Sequence, residues 1–112
     1  MLDCMSGELD ESRLEFFVRW AEPRYFKGIE PVSAVGISAD LEGPACFLSN
    51  ENRILVNAAV AQFPRWCGVL LLHELIHSKL YKQNGDPDED HGERFQAELD
   101  RLTVEGAYKG RL

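Results

Sequence analysis

Two histidines four residues apart with a glutamate between them, His73-Glu74-Leu75-Ile76-His77, are the residues of this chain best suited to chemistry. On a helix, positions four apart lie about 40° from each other around the axis, so both imidazoles leave one face and can share a metal ion. Glu74 stands about 100° round from His73, near enough to hold a water at the metal without itself ligating. This is the H-E-x-x-H arrangement of zinc hydrolases. Zinc lowers the pKa of its water to about 7, the carboxylate accepts the proton, and hydroxide attacks a carbonyl that the metal polarises. A lone histidine on an apolar helix is ordinarily satisfied by a hydrogen bond. Three ionisable side chains in the most apolar stretch of the chain cost on the order of several kcal/mol, and a metal is the natural compensation.

A catalytic zinc usually takes three protein ligands and keeps a fourth position open. The leading candidate for the third is His91, the only other histidine, followed by Gly92, which permits close approach of backbone to the site. Glu98 and Glu93 are the carboxylate alternatives, Glu98 the stronger; Glu98 or Asp90 could instead orient an imidazole. The acidic run Asp86-Pro87-Asp88-Glu89-Asp90 has the look of a calcium loop, but its sixth position is His91 rather than glycine and its twelfth is Ala97 rather than glutamate. It is expected to be a solvated connection. Tyr25, Tyr81, Arg94 and Tyr108 are candidates to stabilise an oxyanion, and the sequence does not choose among them.

These residues need elements to position them. Past Pro64, a good first-turn residue, the stretch from Arg65 to about Lys82 is apolar nearly all round and is predicted to be a central buried helix, stopped by Asn84-Gly85. A last helix is predicted from near His91 to about Glu105, burying Phe95, Leu99 and Leu102, with Asp88 or Asp90 as N-cap. Towards the N-terminus, Leu14, Phe17, Val18 and Ala21 mark one face of an amphipathic helix from Asp10 to about Ala21, with Ser12 and Glu15 as a capping box and Pro23 as its end. Val32 to Ile37 reads as a strand. Ala45 to Leu48 and Arg53 to Val56 read as a hairpin around Ser49-Asn50-Glu51-Asn52, and Gly43-Pro44 suits the first of the two to a sheet edge.

The expectation is one α+β domain over residues 1–112, with no accessory zinc ribbon: Cys4, Cys46 and Cys67 form no C-x-x-C pair and suit small buried hydrophobes. The 112 residues are 45% hydrophobic, yet no run approaches the roughly 20 apolar residues of a membrane span, and Met1 to Glu15 lacks the pattern of a secretory signal. A cytoplasmic or otherwise intracellular setting is expected. The net charge of -7 argues against general affinity for nucleic acid. One local exception is Arg19, Arg24 and Lys27, interleaved with Trp20, Tyr25 and Phe26; such alternation usually marks a half-buried element with snorkelling cations.

Residues Arg53 to Leu102 resemble the SprT-like zinc metallopeptidases, a group that includes the Spartan proteases of DNA–protein crosslinks. The likeness rests on Val69-Leu70-Leu71-Leu72 entering His73-Glu74-Leu75-Ile76-His77, and on His91-Gly92-Glu93-Arg94-Phe95, similar to the family's His-Gly-x-x-Phe segment. The strand Arg53-Ile54-Leu55-Val56-Asn57 also sits where the family places one. The resemblance implies a minimal zincin-like α+β fold with His73, His77 and His91 as zinc ligands and Glu74 as catalytic base, acting on a protein or peptide substrate. Two other functions fit the same residues: a zinc-stabilised binding or regulatory module that cuts nothing, and a DNA-associated protease core.

Overall fold

Leu14, Val18 and Ala21, spaced three and four apart, are each fully buried, and the helix that they define, α1 (Glu11–Tyr25), opens the structure, a computed structural model that describes residues 10–86 and 91–110. Two local expectations are corrected here. The N-cap is Asp10 rather than Ser12: its Oδ1 accepts from the Arg13 N–H (3.0 Å) and from the Ser12 hydroxyl (2.9 Å), so the serine supports the cap instead of forming it. The helix also runs through Pro23 to Tyr25. A proline in the last turn removes only one helical donor, and the turn is tied down from outside. Glu22, 9% exposed, accepts the Val32 N–H (2.9 Å) and an Arg19 guanidinium N–H (2.8 Å), while Arg101 donates to the Tyr25 carbonyl (2.7 Å). The Val32 N–H is thereby taken from any sheet, and the first strand begins later than expected.

That strand, β1 (Ala34–Ser38), lies in a three-stranded sheet with β2 (Ala45–Leu48) and β3 (Arg53–Asn57) in the order β1-β3-β2. β3 is central, antiparallel to β2 and parallel to β1. The hairpin turn contains Asn52 at φ 53, the left-handed conformation that asparagine tolerates. β2 is an edge strand, as Gly43-Pro44 suggested. The Asn57 N–H donates to Pro44 O (2.8 Å), and the register pairs Cys46 with Leu55 and Leu48 with Arg53. Alternation along an antiparallel ladder therefore turns the N–H and C=O of Ala45 and Phe47 outward. The opposite edge is covered: α1 packs against β1, and the Glu11 carboxylate accepts the Ile37 N–H (2.9 Å).

A short turn of helix (Val60–Gln62) leads into α2 (Pro64–Asn84), which has proline in its first turn and Gly85 at φ 72 as its left-handed stop. From Cys67 to Leu80 every residue of α2 is buried or half-buried, as expected of a helix enclosed on all sides, although Trp66 and Tyr81 at its ends are exposed. It packs on β2 and β3, on α1, and on α3 (Glu93–Val104). α3 starts two residues after His91 with Gly92 at its cap position; it buries Phe95 and Leu102. The caps Asp88 and Asp90, like Cys4, lie outside the described residues. Cys67 is buried with its thiol on the Val60 carbonyl (3.3 Å), and Cys46 is half-buried on β2. No helix among the described residues is long and apolar enough to cross a membrane. The architecture is α+β, with the enclosed helix α2 carrying the histidines.

Candidate metal centre

The helical spacing brings His73 and His77 to one side of α2, with their Nε2 atoms 3.2 Å apart. His91, arriving from just before α3, places its own Nε2 3.2 Å from that of His73 and 3.1 Å from that of His77. Three copies of the same ring nitrogen thus face one point. Two nitrogens each about 2.0–2.1 Å from a shared ion at a tetrahedral angle stand about 3.3 Å apart, so this triangle has the size of a three-histidine metal site. The tautomers with the proton on Nδ1 turn three lone pairs inward, which is the donor set a cation fills. His73, His77 and His91 are close enough to hold a metal ion, and no other group of three potential ligands is this close among the described residues.

Burial falls across the cluster. His77 is 4% exposed, His73 half-buried and His91 exposed, so the site has a floor inside the protein and a side open to solvent. Phe95 builds that floor: its ring centroid lies 4.7 Å from His73, 4.7 Å from His77 and 4.8 Å from His91. The sequence marked Phe95 as a core residue and as part of a motif, but not as a side chain packed against all three imidazoles. Glu74, 6% exposed, sits in α2 directly after His73.

The carboxylate alternatives do not join the cluster. Glu93 is exposed on the first turn of α3. Glu98 is turned the other way, with Oε2 on the Lys79 ammonium (2.9 Å) and Oε1 on the Arg101 guanidinium (2.8 Å). Burial alone would raise its pKa; the hydrogen bonds from Arg101 and Lys79 outweigh that and hold the carboxyl below its ordinary value of 4.5. Glu98 therefore cross-links α2 to α3 and is neither ligand nor imidazole partner. Asp90, the other suggested orienting residue, lies outside the described residues.

An ion pair that no local motif signals joins positions on either side of His91. Asp86, only 8% exposed at the end of α2, accepts from Arg94 in the first turn of α3 (2.8 Å). The pair joins the end of α2 to the first turn of α3. It also removes Arg94 from the oxyanion candidates. Tyr108 is buried in the core, where burial raises its pKa, and Tyr25 packs edge-on against Trp20. Tyr81 is different: four residues beyond His77, it continues the stripe of His73 and His77 along α2, and its ring lies 6.2 Å from that of Phe47 on β2.

Two outcomes follow. Glu98→Gln should bind metal with the wild-type stoichiometry, measured by elemental analysis, while losing acid-sensitive stability. A carboxyl whose folded pKa is depressed stabilises the fold above its ordinary pKa and loses that contribution as pH falls through the folded value, so the variant's denaturation midpoint should vary less in that range. Arg94→Ala should weaken metal binding up to about fivefold in a chelator competition, the scale of a partly exposed ion pair worth about 1 kcal/mol, with Arg94→Lys recovering most of it.

Comparison of the chain with protein-family models, with curated proteins and with solved structures finds no match. What the cluster can do follows from its own atoms.

Proposed function

We propose that this chain is a zinc-dependent metallopeptidase in which His73, His77 and His91 hold the ion and Glu74 is the general base. The observation that carries this reading is the convergence of three Nε2 atoms at 3.1–3.2 Å beside a buried glutamate on the same helix. Imidazole donors alone suit several transition metals, and zinc is favoured by three neutral nitrogens in a small, partly enclosed site. When bound, zinc supplies a Lewis acid that polarises a carbonyl and lowers the pKa of a water to about 7.

The chain's own residues do the rest. Glu74 accepts a proton from the attacking water at its carboxylate and returns it to the departing amine. A purely structural metal site has no use for a carboxylate at that position. Phe95 keeps the three rings in register, and His91, on the solvent side, marks where a substrate enters. An extended peptide would pair with the outward N–H and C=O groups of Ala45 and Phe47, adding a strand to the free edge. Tyr81 joins that edge to the histidine stripe and is the oxyanion candidate in the best place. The same reading would set the chain among the SprT-like metallopeptidases, on its two histidine blocks.

Glu74→Gln should retain stoichiometric zinc and lose about 10² to 10⁴ in turnover, measured by elemental analysis and by cleavage of casein or of the chain itself. Absence of zinc from the purified protein would sink the proposal. If wild type and variant both bind zinc and neither cuts, the metal holds a binding module instead; stimulation of cleavage by single-stranded DNA would mark a DNA-associated protease. Tyr81→Phe should lower kcat with zinc affinity unchanged, and Ala45→Pro, which deletes one outward N–H, should raise KM; unaltered cleavage by the proline variant would remove the strand-pairing model.

A further inference from the structure

The chain carries a net charge of -7, yet four cations from three separate helices and the segment after α1 meet around one cleft of about 300 Å³. Arg24 and Lys27 come from the end of α1 and the residues after it, Lys79 from α2 and Arg101 from α3. Tyr25, Phe26 and Ile29 supply its apolar wall. The cleft shares no residue with the histidine cluster. Lys79 follows His77 by two residues, about 200° around the helix, so the two sites open on different sides of α2.

The cations are not equally answered. Glu98 and Glu105 meet Lys79 and Arg101 at 2.8–2.9 Å. Arg24 and Lys27, both exposed, have no carboxylate within ion-pair distance among the described residues. Arg24 is nonetheless held, its guanidinium 4.9 Å from the centre of the Trp20 ring. Arg101 is held more firmly still, by Glu98, Glu105 and the Tyr25 carbonyl. Lys79 gives one donor to Glu98 and its ammonium has two more. Cations fixed before a ligand arrives lose little side-chain entropy on binding it.

We propose that this cleft binds a small phosphate monoester. About two positive charges stand uncompensated, which matches a phosphate dianion better than a single carboxylate, and the tyrosine, phenylalanine and isoleucine wall suits an organic remainder. A long nucleic-acid strand fits less well, because beyond the cleft its further phosphates would meet a chain that is acidic overall. The proposal is independent of the metallopeptidase reading.

Isothermal titration of the metal-loaded full chain with adenosine 5′-monophosphate, inorganic phosphate and a thymidine oligonucleotide tests it, alongside Arg24→Glu and Lys27→Glu. The monoester should bind saturably and more weakly as salt rises, and each charge reversal should weaken it about tenfold or more while zinc content and circular dichroism stay unchanged. Inorganic phosphate binding as tightly as the monoester would also support the site, with the free ion as its occupant. No binding at millimolar ligand, or binding that both reversals leave intact, overturns it. An oligonucleotide that binds far more tightly than either small ligand overturns it in favour of a nucleic-acid strand.

Discussion

Everything in this molecule is arranged around polar side chains in a helix that has almost no solvent-facing side. His73, Glu74 and His77 lie in the part of α2 where each residue from Cys67 to Leu80 is buried or half-buried. Imidazole and carboxylate groups there must find partners within the protein or a metal, or their desolvation opposes folding. The fold supplies the surroundings in a fixed order: the sheet lies against one side of α2, α1 against another, and α3 brings Phe95 and the preceding His91 against the histidine stripe. The cluster is thus completed by tertiary packing, although two of its three members are neighbours in sequence.

Much of this was legible before the structure. The 3.6-residue period put His73 and His77 together, the scarcity of histidine singled out His91, and Pro64 and Gly85 bracketed α2 closely. The hairpin and its edge position followed from the turn residues and from Gly43-Pro44. Failures came where a distant partner or a better neighbouring one outweighed the local pattern. Pro23 signals an end to a helix, yet Glu22 and Arg101 tie that last turn to the Val32 N–H and the Tyr25 carbonyl. Ser12 and Glu15 have capping-box spacing, but Asp10 two residues earlier is the better acceptor. Glu98 shares a helical face with His91 by count; two cations on other turns decide where its carboxylate goes. Local pattern carries no information about partners many residues away.

The ion pairs divide the molecule's electrostatics into separate tasks. Lys79, Glu98, Arg101 and Glu105 join α2, α3 and the end of α1, with Glu98 little exposed and meeting both cations. Such partly enclosed groups resist screening by salt more than isolated surface pairs do. Asp86 and Arg94 act over a shorter span, joining two positions that flank His91 in the chain. An acidic chain thereby gathers four of its cations along one side of α2 and its three imidazoles on another.

The covered edge of β1 has a consequence for how the protein behaves among its own copies. A sheet with two open edges can accept a strand on each side and so grow without limit, the route by which small β-containing proteins assemble into fibres. Here α1 packs against β1 and Glu11 occupies the Ile37 amide, so among the described residues β2 is the more open edge for pairing. A second copy that paired there through its own β2 would leave the two α1-packed edges outermost. The sheet is built to close as a pair of copies instead of extending into a fibre.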